Sequence, residues 1–179
     1  MIIEDLKKPL PIESIDFRVQ SVNKGGYATI LAYKDARVDM NRLDEVVGAL
    51  NWKREHQDNN KTCIVSIWNE QTSQWISKED VGTQSNTEAA KGLASDSFKR
   101  ACFNWGIGRE LYDYPSISIK LEKGVEWEMN KDKPKQLFGF KLKEWTWISE
   151  FKDGKLLGLA AKDQNGKVRF KHGEFTPKK

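Results

Sequence analysis

A chain of 179 residues with 38% hydrophobic content is about one domain's worth of sequence, able to fill a core, and no run approaches the roughly 18 apolar residues of a membrane span. The formal net charge is +4, but residues 1–119 carry 15 Lys and Arg against 17 Asp and Glu while residues 120–179 carry 15 against 9, so bulk charge selects no partner. The start, MIIEDLKKPLPIES, is too charged for a signal peptide, and Cys63 and Cys102 sit apart in apolar patterns, which argues against a disulfide framework or zinc site and for a reducing, cytoplasmic or nuclear setting.

After an irregular start with Pro9 and Pro11, Phe17 to Val22 and Tyr27 to Tyr33 read as strands around Asn23-Lys24-Gly25-Gly26, a composition that predicts a hairpin. A helix is predicted from Asp35 or Ala36, with Val38, Leu43, Val46 and Val47 at helical spacing and Gly48 as its stop. Trp52 to Gln57, Thr62 to Trp68 and Gln74 to Val81 read as three strands of an antiparallel meander, separated by turn-forming residues. Ser85 and Glu88 make a capping-box pattern that opens a long helix ending near Trp105.

Beyond Pro115 the character changes. Glu122 to Gln136 is charged, contains Pro134, and reads as a linker or exposed excursion. Leu137 to Phe151, Leu156 to Ala161 and Val168 to Phe170 then read as strands, with Asp153-Gly154 and Asn165-Gly166 as hairpin turns. The first of these runs changes parity between Phe138, Phe140, Leu142 and Trp145, Trp147, so it either bulges or is buried on both faces.

On a helical wheel at roughly 100° per residue, Leu93, Ala94, Ser97, Phe98, Ala101 and Trp105 share one sector, the core face of the long helix. Lys99 and Arg100 lie on the other side, and Phe103, one turn on, falls between them. Three readings follow. The cations form a solvated face with Phe103 packed under the C-terminal tail; or the surface takes nucleic acid, cations on phosphates and ring on a base; or the ring is buried against another subunit.

Other chemistries fit less well. Gly106-Ile107-Gly108 follows a helix rather than a strand, with Leu111 where a third glycine belongs, so it is a helix stop rather than a dinucleotide fingerprint. There is no P-loop, and His56 and His172 belong to no metal or triad pattern. Glu79 and Asp80 offer a metal-dependent nuclease reading. Their plainer one is a strand end whose carboxylates meet backbone N–H groups or a neighbouring cation.

The segments AYKDARVDMNRLDEVVGALNWKRE, KEDVG and EAAKGLASDSFKRACFNWGIGR, in that order, resemble the Rad-fifty-two superfamily of single-strand annealing proteins, closest to its phage forms and its DNA-damage-response A proteins. The resemblance covers about residues 20–112. It implies an α+β fold, a curved antiparallel β-sheet with a long helix packed across it in a β-β-β-α core. It also implies an ATP-independent, non-enzymatic protein without cofactor that holds single-stranded DNA in a basic groove of a homo-oligomeric ring. By position, the family's groove Lys-Arg pair falls on Lys99 and Arg100, its first helix-motif aromatic on Tyr33 with Arg37 one turn later, and a groove arginine near Lys24. Phe103 stands where some relatives carry a further basic residue. Asp35, Asp39, Asp44 and Glu45 are then available to pair across subunits.

The expected organisation is an annealing core over residues 1–115 and a β-rich C-terminal extension over residues 116–179. The expected function is single-stranded DNA binding and strand annealing in recombination or repair, in the cytoplasm, or that of the bacterial host if phage-encoded. A single-strand-binding protein is an expected partner and a membrane is not. A metal-dependent nuclease and a protein-binding adaptor are the competing classes.

Overall fold

Helix stops, caps and turn residues set the elements of the first half. The structure, a computed structural model, describes residues 3–83 and 89–176. The fold is α+β, and the strand pairs among the described residues are antiparallel. Helix α1 (Ile3–Leu6) precedes the predicted hairpin of β1 (Asp16–Val22) and β2 (Tyr27–Tyr33). In its turn, the Asn23 side chain accepts from the N–H groups of Gly25 and Tyr27 at 2.9 and 3.0 Å. Gly26 has φ 76°, and a Cβ there would lie 2.6 Å from the Trp127 ring, so the turn requires glycine twice over.

Helix α2 (Ala36–Val47) is capped by Asp35, whose carboxylate accepts from the Arg37 N–H at 2.8 Å, and ends at Gly48 with φ 87°. The meander follows as β3 (Trp52–Gln57), β4 (Thr62–Asn69) and β5 (Gln74–Val81), in sheet order β3-β4-β5. Helix α3 (Ala89–Trp105) packs against β4 and β5; the expected cap at Ser85 and Glu88 lies outside the described residues.

The second half departs from expectation in three places. Ile117–Lys120 is a strand, β6, which pairs with β2 and buries Ile117 and Ile119. The stretch read as a linker contains a hairpin of β7 (Trp127–Asn130) and β8 (Lys133–Gln136), anchored by the buried Trp127. Only the end of the run from Leu137 is a strand: a short 3-10 turn at Leu142–Glu144 precedes β9 (Thr146–Lys152), followed by β10 (Lys155–Lys162) and β11 (Val168–Gly173) in one sheet. Phe140, Leu142 and Trp145 are all buried without strand alternation, which accounts for the parity change.

The chain divides into two compact units, Met1–Leu10 with Lys34–Arg109, and Pro11–Tyr33 with Glu110–Lys179. The first is centred on Leu43, Cys63, Val65, Phe98, Ala101, Cys102 and Trp105, all buried. The second holds a cluster that includes Ala28, Ile30, Ile119, Trp127, Trp145 and Leu159. The units therefore cut across a linear division at residue 115. The hairpin groups with the C-terminal segment because β6 completes its sheet and Trp127, Trp145 and Leu159 share a buried cluster with its Ala28 and Ile30.

Candidate nucleic-acid interface

The long helix is fixed from both ends of its apolar face. Ser97, Phe98, Ala101 and Trp105 are buried as the wheel predicts. The Trp105 indole donates to the Val65 carbonyl at 3.0 Å and the Ser97 hydroxyl to the Asn60 carbonyl at 3.0 Å. The helix stops as expected at Gly106, with φ 102°. The Gly106 N–H bonds the Phe103 carbonyl at 2.9 Å and the Ile107 N–H reaches Cys102 at 3.2 Å, the two bonds of a Schellman ending. Arg109 donates to the Phe103 and Asn104 carbonyls at 2.7 and 3.0 Å and Lys78 to Asn104 at 2.6 Å, placing two cations at the negative end of the helix dipole.

On its other side Arg100 is exposed, with its Nε 3.2 Å from Asp80 Oδ1, and Lys99 is half-buried. Asp80 also accepts from its neighbour Val81 N–H at 2.7 Å and from Asn104 at 3.3 Å. That is the strand-end arrangement expected of Asp80 if it is structural, and it leaves little of the carboxylate for a metal. Among the described residues no group of three or more His, Cys, Asp or Glu side chains is placed to hold one.

Phe103 is half-buried on this helix, with the Lys34 ammonium 5.6 Å from its ring centroid. Lys34 is itself buried and paired with Asp39, which is fully buried. Burial pushes the Asp39 carboxyl up to about 6, against the pull of Lys34 and Lys99. Asp39 is thus unavailable to a neighbouring subunit, and Asp44 accepts from the Trp52 indole at 2.7 Å. Nothing in the local pattern marks Lys34 as buried, since a lysine beside a helix cap ordinarily reads as solvated.

The remaining expected residues are dispersed. Arg37 extends from the first turn of α2, its side chain 86% exposed and its Nε 3.9 Å from Asp35. Lys24 is exposed in the β1–β2 turn. Tyr33 lies at the opposite end of β2, with the Arg18 guanidinium 5.5 Å from its ring centroid, a contact that required the strand register to see. Arg37, Lys99, Arg100 and Phe103 belong to one compact unit, Lys24 and Tyr33 to the other.

Residues 66–126, from the middle of β4 through α3 and β6, match the Rad52/22 family double-strand break repair protein. The chain is 29% identical over 144 residues to the single-stranded DNA-binding protein DdrA of Deinococcus radiodurans, covering 79% of this chain and 65% of that protein. It is 30% identical over 132 residues to the protein of the same name from Deinococcus deserti, covering 72% and 62%. The chain therefore spans a little under two thirds of either relative's length. The helix that carries Lys99 and Arg100 lies inside the segment that matches the Rad52/22 family, and most of the chain is similar to these two single-stranded DNA-binding proteins.

Proposed function

We propose that the chain binds single-stranded DNA and anneals complementary strands without nucleotide hydrolysis, serving recombination or repair. The observation that carries this reading is the similarity, over most of the chain, to two proteins named for single-stranded DNA binding. The geometry of α3 supports it. Arg100 and Asp80 are 44% and 25% exposed, and a pair of that kind is worth only about 0–1 kcal/mol, so a phosphate can take the guanidinium at little cost. Lys99 and Arg100 neutralise phosphates with release of counterions, Phe103 offers the uncovered part of its ring, and Arg37, Lys24 and Tyr33 add further contacts. No bond is made or broken; the protein neutralises the backbone and leaves bases free to pair.

In the same reading α3 lies across a curved sheet, the annealing core and its C-terminal extension work in a homo-oligomeric ring, and a single-strand-binding protein hands over the strand in the cytoplasm. The test is binding of labelled single- and double-stranded oligonucleotides to the full chain, followed by annealing of complementary strands with and without ATP, with light scattering on the same sample. Preference for single strands and nucleotide-independent annealing by an oligomer are expected. Annealing that needs ATP, or DNA shortened in Mg²⁺ or Mn²⁺ by wild type but not by Asp80→Ala, would replace this reading with an enzymatic one.

A further inference from the structure

The exposed face of the β1–β2–β6 sheet has a composition that points to a ligand. Along β2, Ala28 and Ile30 turn into the core while Tyr27, Thr29 and Tyr33 face outward. The register sets Lys120 directly opposite Tyr27 and Ser118 opposite Thr29 on one side, and Arg18 opposite Leu31 on the other. Tyr27 is 47% exposed with the Lys120 ammonium 4.7 Å from its ring centroid, and Tyr33 is 37% exposed beneath Arg18. The Lys120 ammonium also donates to the Gly25 carbonyl, which ties it to the turn that presents Lys24. Of the residues in these three strands only Asp16 is acidic.

We propose that this sheet face is a base-stacking platform for single-stranded nucleic acid, with Tyr27 and Tyr33 under bases and Arg18, Lys24 and Lys120 on phosphates. It rests on the reading that the chain binds single strands, and gives a contact surface to the compact unit that does not contain α3. The two rings are six residues apart on one strand, about 20 Å, with the Thr29 and Ser118 hydroxyls between them as donors to sugar or phosphate. An exposed cation–ring contact is weaker than stacking of a base on the same ring. An arriving base therefore displaces the cation, and the cation turns to the adjoining phosphate. Three cations against one carboxylate select a polyanion over an acidic or neutral protein surface of comparable size.

The test uses full-length protein and a fluorescent oligothymidylate titrated at several salt concentrations, with a 5-iododeoxyuridine oligonucleotide for photo-crosslinking. Tyr27→Ala is expected to weaken binding about 5- to 150-fold with the slope of log affinity against log salt unchanged, and Tyr27→Phe to bind as wild type does. Lys120→Ala is expected to flatten that slope by about 0.7. In the wild-type protein the crosslink should fall on the peptide containing Tyr27, a readout independent of how any variant folds. If wild type binds the strand but the crosslink lies elsewhere and both alanine variants bind normally, the platform is wrong and the function stands. If Tyr27→Ala instead alters the oligomer by light scattering at unchanged affinity, the face is a subunit interface and the platform is again wrong. If wild type does not bind single strands, the functional reading itself fails.

Discussion

The α3 surface and the exposed face of the β1–β2–β6 sheet each carry cations beside an aromatic ring, but the cations are held by different groups. Around α3, Lys34 is buried against Asp39, Arg100 sits on Asp80, and Lys78 and Arg109 bond backbone carbonyls. On the sheet face, Arg18 and Lys120 lie over tyrosine rings, and Lys120 also donates to the Gly25 carbonyl. A phosphate approaching Arg100 must displace a carboxylate; one approaching the sheet displaces a polarised ring at Arg18, and a ring and a carbonyl at Lys120, and each ring then becomes free for a base. The comparison teaches that the direction in which a cation projects is a poor guide to its availability, because its existing partner decides what an incoming anion gains.

The largest expected effect tests the most tightly held cation. Lys34→Met leaves the Asp39 carboxylate buried without its ammonium, and should cost about 3–5 kcal/mol in urea unfolding at neutral pH. Because the lone carboxyl then protonates more readily still, much of that loss should return on acidification. A loss below 1 kcal/mol would show that the pair is no more committed than Arg100 and Asp80.

The pH profile gives a second, smaller effect. Asp39 titrates at about 6 in the native state against an ordinary 3.8, so between those values the folded protein holds a proton that the unfolded chain has released. Its contribution is therefore full below the ordinary value and is lost as pH rises through 6, on the order of 2–3 kcal/mol in total. In the other unit Glu126 has the opposite sign. Burial raises its carboxyl, but the hydrogen bonds from Arg169 at 2.8 Å prevail and hold it below 4.5, so its contribution is present above that value and lost below it. Unfolding free energies from pH 4 to 7 for wild type and Asp39→Asn isolate the first effect, since their difference should move steadily against wild type as pH rises. A constant difference would remove Asp39 as its source.

Gly26→Ala tests the sheet side. Its positive φ and the Trp127 ring 2.6 Å from the added carbon predict a loss of about 1–3 kcal/mol, together with weaker single-strand binding as the turn bearing Lys24 shifts. Normal stability and affinity in this variant would mean that the turn does not depend on Trp127. The smallest stability effect belongs to Arg100→Ala, within about 1 kcal/mol, yet its salt slope for single-strand binding should flatten by about 0.7. Asp80→Asn should strengthen binding by releasing Arg100; if it weakens binding, the pair positions Arg100 rather than competing for it.

How much of this was legible in the sequence follows from the range of each signal. The first hairpin, α2 with Asp35 and Gly48, the meander and the core face of α3 depend on neighbours within a turn or two, and periodicity and turn chemistry read them correctly. Strand β6 is four residues long and owes its existence to β2, a partner far upstream. Half of the residues from Trp127 to Gln136 are charged and one is Pro134, so the composition of the β7–β8 ribbon imitates a linker. On the candidate surface the wheel separated Lys99 and Arg100 from the core face. The attachment of Arg100 to Asp80 and of Phe103 to Lys34 depended on elements that periodicity along one helix does not contain.

The pairing of the hairpin with β6 also sets an order of events during synthesis. Gly25 and Lys120, joined by a hydrogen bond in the finished sheet, are 95 residues apart. At about 5–20 residues per second on the ribosome, the hairpin emerges roughly 5–20 s before its third strand. During that interval the chain from Lys34 to Arg109 is made and is complete only near its end, while Ala28 and Ile30 still lack the strand that pairs with theirs and the tryptophan that packs in their cluster. The segment made first is thus among the last to be finished, and its apolar face is the one a nascent-chain chaperone would meet.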